Sequence, residues 1–164
     1  MVKNTRPGKP AGKHKSQGAQ RSHSKDTLTL LGGGPLPKID SPNQNLLESF
    51  ESPSPNDYEV SFTTEEFTSL CPVTGQPDFA RITITYTPDR RCIESKSLKH
   101  YLGAYRNMPV FAEGIANRIL GDIVAAVSPR QVTVICDFFP RGGIGIRVEA
   151  NHQSPSSNTK KIRR

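Results

Sequence analysis

Between residues 58 and 150 the apolar positions recur with two periods, and each period predicts a different element. Tyr58, Val60 and Phe62 alternate with polar residues over Tyr58–Thr64, and Ile82, Ile84 and Tyr86 do so over Arg81–Thr87. Strict alternation predicts strands with one buried face, the second closed by Pro88-Asp89. The period then lengthens. Leu98, Tyr101, Leu102 and Tyr105 fall on one side of a short helix from Glu94 to about Tyr105. Phe111, Ile115, Ile119 and Ile123 line a longer helix starting at Asn107 or Met108, with Leu120, Val124 and Val127 beside that stripe and Pro109 in the first turn. Ser128-Pro129 stops it. Gln131–Phe138 and Ile144–Val148 predict two further strands, joined by Phe139-Pro140-Arg141-Gly142-Gly143. The order ββααββ implies an α+β domain with both helices on one face of an antiparallel sheet.

The flanks carry no such period. Residues 1–57 mix Lys, Ser, Gly, Pro, Gln and Asn around one apolar patch, Leu28–Leu31, which Gly32-Gly33-Gly34-Pro35 ends. They predict a mostly disordered extension, with 42–57 a linker whose Leu46, Leu47 and Phe50 reach the core. Residues 151–164 predict a second disordered tail. The folded unit, 58–150, is then only about ninety residues, a size that buries a modest share of its surface. An open four-stranded sheet also leaves two unpaired edges. Edge-to-edge assembly answers both problems, so a homo-oligomer with sites between subunits is expected.

Charge changes the picture only once it is divided by region. The net +7 resolves into +6 for residues 1–26, −3 for 27–150 and +4 for 151–164. The positive excess therefore lies in the tails, as solvated termini or as a non-specific contact for RNA. No apolar run approaches membrane-spanning length, and the N-terminus lacks the apolar core of a secretory signal. Three cysteines without a CxxC pair argue against a disulfide framework and for a reducing cytoplasm.

Candidate chemistry centres on Cys71-Pro72-Val73-Thr74-Gly75-Gln76-Pro77-Asp78. An ionised thiol is a nucleophile, and a carboxylate held near it by a proline-stiffened turn can move a proton to or from what the sulfur attacks. A Cys beside apolar Leu70 also suits an inert buried residue. A zinc site is not expected: the core offers only His100 and scattered cysteines. A Cys71–His100 hydrolase pair has no support from spacing. No Gly-x-Gly-x-x-Gly follows a strand, and Gly142-Gly143-Ile144-Gly145 reads as a hairpin. Lys96 and Lys99 share a helix face and, with Arg141, are candidates for gripping phosphates; they equally suit a solvated basic face. Glu113, in the first turn of the second helix, either complements the helix dipole or accepts two N–H bonds from a guanine-like edge.

Phe67-Thr68-Ser69-Leu70-Cys71-Pro72, Thr74-Gly75-Gln76-Pro77-Asp78-Phe79, Glu94-Ser95-Lys96-Ser97-Leu98-Lys99, Tyr105-Arg106-Asn107 and Arg141-Gly142-Gly143-Ile144 together resemble the NADPH-dependent 7-cyano-7-deazaguanine reductases, nitrile reductases of queuosine biosynthesis in tRNA. The resemblance covers roughly 58–150 and is to the short, single-unit form. It implies the tunnelling fold, ring assembly with pockets between subunits, and two NADPH per turnover. It also implies that Cys71 forms a covalent thioimide with the nitrile and that Asp78 donates the proton. Ile93, Glu94, Ser95, Ala112 and Glu113 match substrate-binding positions, and Lys96, Lys99 and Arg141 are the cofactor candidates. One position departs from the pattern: the family usually has His where this chain has Ala112. An amidine-forming relative, of archaeosine synthase type, acts on the same nitrile in tRNA but typically lacks the Glu94–Lys99 motif. An RNA-associated binding module acting through the basic tails is the rival from another class.

Overall fold

A computed structural model describes residues 41–155. The expectations for residues 1–40 and 156–164, the Leu28–Leu31 patch included, lie outside the described residues. A 3-10 turn at Gln44–Leu46 leads into β1 (Ser49–Glu51), β2 (Val60–Leu70), β3 (Pro77–Thr87) and β4 (Arg91–Ile93). Then follow α1 (Ser95–Gly103), α2 (Ala112–Val127), β5 (Gln131–Arg141) and β6 (Ile144–Gln153). The long strands form one antiparallel sheet in the order β2-β3-β5-β6, and β1 pairs with β4 in a separate ribbon. The fold is α+β, as the two periods imply.

Alternation sets the buried face. Ile82, Ile84 and Tyr86 of β3 and Val132, Val134 and Cys136 of β5 are buried against the helices, while their odd-numbered neighbours are more open. α2 contributes Ile115, Ile119 and Ile123, all fully buried, and α1 contributes Leu98 and Tyr101. Truncating such an isoleucine to alanine costs about 2–5 kcal/mol. The Tyr101 hydroxyl donates to Asp122 at 2.6 Å and meets the Tyr105 hydroxyl at 3.0 Å, which ties α1 to α2 through a satisfied buried network.

Several boundaries differ from the sequence reading. The segment expected as linker folds: β1 pairs Phe50 with Cys92, Leu47 is buried, and the Glu48 N–H donates to Ser97 Oγ at 3.0 Å. At the other end β6 runs to Gln153. Pro109 does not open α2. Residues 108–110 instead pair with the end of β2, Leu70 N–H donating to Met108 O at 2.9 Å and Val110 N–H to Leu70 O at 3.1 Å. The helix therefore begins at Ala112, and Phe111 is exposed at its N-cap rather than part of the buried stripe. Ser128 ends α2 in the left-handed region (φ 44°).

Two register shifts matter most. Thr64 faces Ile82 and Phe67 faces Ala80, so β2 carries one extra residue at Glu65-Glu66. Phe138 faces Ile146 and Arg141 faces Ile144, so β5 carries another at Phe139-Pro140. Side chains alternate with period two, so one inserted residue moves every later side chain to the other face. Even-numbered residues of β2 face the helices before its bulge, and Phe67, Ser69 and Cys71 do so after it. Arg141 likewise takes the helix-side face that simple counting assigns to Pro140.

Among the described residues no helix is long and apolar enough to cross a membrane, and no cluster of His, Cys, Asp or Glu could hold a metal ion.

Candidate active site

Cys71 follows the last residue of β2 and opens the turn into β3. Its N–H donates to Gln76 O at 2.8 Å, and Gly75 N–H donates to Cys71 O at 2.8 Å. The turn closes because Gly75 adopts φ +69°, which a side chain would disfavour. Thr74 sits inside this loop, its hydroxyl accepting from Gln76 N–H at 3.4 Å.

Register places the acid. Leu70 faces Pro77 and Ser69 faces Asp78, so Cys71 and Asp78 occupy diagonal positions on one face, roughly 7–8 Å apart at the backbone. The thiol is partly open to solvent, whereas Asp78 is 5% exposed. Arg141 reaches Asp78 from the end of β5 and ion-pairs with its Oδ1. The thiol is lowered from the ordinary 9.0 to about 7. The Thr74 hydroxyl is the main cause, followed by the backbone N–H groups of Thr74 and Val73, with slight desolvation opposing them and the Arg141 guanidinium assisting. The other cysteines are unsuited to this work. Cys136 is buried and its thiol is pushed up to about 12 by desolvation, and Cys92 is buried against the Tyr58 hydroxyl at 3.1 Å.

Ser69, directly opposite Asp78, is fully buried and its hydroxyl finds no partner among the described residues. A buried unpaired hydroxyl is costly, and this one lies beside the acid. The rim is apolar. Val73, Phe79, Phe111, Phe139 and Ile144, the well-exposed large apolar side chains among the described residues, all lie at this end.

The remaining sequence candidates divide into two groups. Ala112 and Glu113 start α2, immediately after the segment that pairs with Leu70, and so accompany Cys71; Glu113 is exposed and Ala112 buried. Ile93, Glu94 and Ser95 lie elsewhere. Ile93 is buried with its N–H on the Tyr86 hydroxyl at 3.0 Å, and Tyr86 stands eight residues along β3 from Asp78, roughly 26 Å at strand rise. Glu94 is buried as the N-cap of α1, its carboxylate accepting from Lys96 N–H at 2.8 Å and Ser97 N–H at 2.7 Å. One chain thus does not bring Ile93–Ser95 to its own Cys71.

Lys99 rims a groove of about 430 Å³ between α1 and the β2–β3 surface. Phe62, Phe67, Ile82 and Ile84 line its apolar side, and Ser95, His100 and Arg106 join Lys99 among its polar residues. Glu66 also lines the groove, so its nitrogen-bearing side chains face one carboxylate. His100 lines this groove, which Cys71 does not, so a Cys71–His100 pair does not form. Arg141, the third candidate for phosphates, ion-pairs with Asp78 and does not line this groove. The sequence reading missed this contact, and Thr74 and Ser69 with it, because all three depend on the turn and the bulges.

A family model described as QueF-like protein matches residues 77–157. The NADPH-dependent 7-cyano-7-deazaguanine reductase of Streptococcus thermophilus is 49% identical over 131 residues, covering 79% of this chain and 80% of that one. The protein of the same name from Chlorobium chlorochromatii is 48% identical over 112 residues, 68% of this chain and 97% of that one. Among solved structures, the archaeosine synthase QueF-Like in its apo form superposes with a TM-score of 0.54 at 22% identity, covering 62% of this chain and 98% of that one. That likeness shows the fold alone.

Proposed function

The chain belongs to the family of NADPH-dependent 7-cyano-7-deazaguanine reductases, and we propose that it reduces the nitrile of 7-cyano-7-deazaguanine to the aminomethyl group in queuosine biosynthesis, through a covalent thioimide on Cys71. One observation carries the covalent step: a partly exposed thiol lowered to about 7 shares a sheet face with a buried carboxylate on the next strand.

The chemistry follows from the two groups. Asp78 takes the thiol proton, and the Cys71 thiolate adds to the nitrile carbon. As the C–S bond forms, one carbon–nitrogen π bond opens and its electron pair moves to nitrogen, where Asp78 returns the proton. Carbon is then more electrophilic than in the free nitrile. NADPH, when bound, supplies one hydride per molecule for the two reductions. Cys71 leaves as thiolate when the C–S bond breaks after the first reduction, and two protons from solvent, one to nitrogen and one to sulfur, give the primary amine and the resting thiol. The groove rimmed by Lys99, His100 and Arg106 is the proposed cofactor site, with Lys96 on the same helix.

The separation of Ile93–Ser95 from Cys71 supports a site completed by a second copy, in the ring assembly and tunnelling fold expected from the sequence. The apolar rim around Cys71 supports the same reading, since exposed patches of this kind mark association surfaces. Glu113 and Glu94 are the proposed contacts to the deazaguanine.

The test combines the protein with the nitrile and follows both mass and NADPH absorbance. Two NADPH should be consumed per nitrile, and without NADPH one adduct should form, lost in Cys71→Ala. An adduct with no NADPH consumption would favour an amidine-forming activity. No adduct on Cys71 would refute the proposed mechanism.

A further inference from the structure

Arg141 pairs with the acid that the proposed reaction uses and shares a sheet face with the thiol, and the proton and sulfur steps above do not by themselves require it. We propose that Arg141 is a positioning residue for this reaction: from the bulged end of β5 it bridges the Asp78 carboxylate and the Cys71 sulfur and keeps the acid turned toward the nucleophile. This rests on the assignment of Cys71 and Asp78 above.

The geometry behind it is local. A regular β5 would send Arg141 to the face away from the helices. The extra residue at Phe139-Pro140 reverses that, and the next two residues, Gly142 and Gly143, both adopt positive φ (58° and 82°) so that β6 can begin at once. This is the two-residue hairpin that glycine favours, and it stops the strand with Arg141 beside the acid. The Asp78 side chain is 6% exposed, and Arg141 is the side chain that bonds it among the described residues. A buried carboxylate left without a partner is strongly unfavourable, so the contact holds the acid in one orientation. The Arg141 side chain is 46% exposed, which leaves other guanidinium nitrogens at the open end where the thiol lies. Arg141, Asp78 and Cys71 share the helix-side face at one end of the sheet, and Arg141 is the smallest of the causes that lower the thiol. A planar, five-donor fork suits a bridge between two acceptors better than a single ammonium.

The rival role is that of a cofactor-phosphate anchor, and the two roles separate experimentally. Adduct formation between Cys71 and the nitrile requires no NADPH. Measured by mass spectrometry in its absence, the rate should fall in Arg141→Gln by roughly tenfold to a hundredfold, the scale of a charge-assisted hydrogen bond. Arg141→Lys should recover part of it. In an Asp78→Asn background the further loss from Arg141→Gln should be under about twofold, because partners acting through one another are not additive. A parental adduct rate with a raised KM for NADPH would overturn the proposal in favour of the anchor. An equal loss in both backgrounds would overturn it too, as would a lowered melting temperature without recovery by lysine.

A second measurement needs no nitrile, so its failure is distinct from failure of the reductase reading. Iodoacetamide reads Cys71, since Cys92 and Cys136 are buried. The pH midpoint of alkylation should rise in Arg141→Gln by under about half a unit, since Arg141 is the smallest of the causes that lower the thiol. An unchanged midpoint would overturn the bridge.

Discussion

Replacing Thr74 with valine should make Cys71 a weaker acid, and the turn itself sets how much. Four contacts share the fall of the thiol from 9.0 to about 7: the Thr74 hydroxyl, two backbone N–H groups and Arg141. The hydroxyl is the strongest of the four, so it accounts for at least about half a unit. Valine keeps the shape and removes the donor. With a value of about 7 the parent thiol is half ionised at pH 7, against about 1% for an ordinary thiol at 9.0. That is roughly fiftyfold more thiolate. A less basic thiolate is also a poorer nucleophile by roughly sixfold to tenfold, which leaves a net advantage of roughly fivefold to eightfold. The assay is iodoacetamide alkylation between pH 5.5 and 10, read on intact mass, with roughly those limits bracketing both titrations. The parent midpoint should lie near 7, and that of Thr74→Val should lie at least about half a unit higher. The sign for stability follows. A folded value below the unfolded one gives a contribution fully present above pH 9.0 and lost as pH falls through about 7. A parent midpoint near 9.0, or no movement in Thr74→Val, would refute the argument.

Glu94→Ala should lower stability by about 1 kcal/mol, because the carboxylate satisfies two N–H groups at the start of α1; thermal melting checks this, and an unchanged melting temperature would count against the cap. Deleting Glu66 should remove the β2 bulge and leave Phe67, Ser69 and Cys71 on the helix side, because Thr64, Glu65 and Phe67 then alternate regularly opposite Ile82, Arg81 and Ala80. The burial of Phe67, 2% exposed in the fold and worth about 1.5–3 kcal/mol, should therefore be kept. Chemical denaturation should show no loss on that scale, and the nitrile should still form its adduct with Cys71; a loss that large would refute the parity argument.

Strand and helix identities were legible because burial imposes a period, and Ile82, Ile84 and Tyr86, or Ile115, Ile119 and Ile123, repeat with it. Boundaries were less legible. Pro109 is compatible with a first helical turn, and only the pairing of Met108 and Val110 with Leu70 took it elsewhere. Phe111 fell on the apolar stripe by count, yet it caps a helix that starts one residue later. The short β1 segment has no period of its own, and its order comes from β4 and Ser97.

For the candidate site, the residue string alone determined the kinds of groups and their separation along the chain: a thiol and an acid on either side of a stiff turn, and a basic helix start. Short-range chemistry of Pro and Gly suffices for that. Which of these groups meet was decided only in three dimensions. Two inserted residues, one in β2 and one in β5, carry Cys71 and Arg141 to the face of Asp78, while the run of β3 carries Ile93–Ser95 to the opposite end. The physical reason is that facing is a matter of parity, and parity depends on where a partner strand lets an extra residue bulge. Nothing local to Glu65-Glu66 announces it, and Pro140, which an inner strand tolerates only at a bulge, hints at the second without fixing which residue changes face.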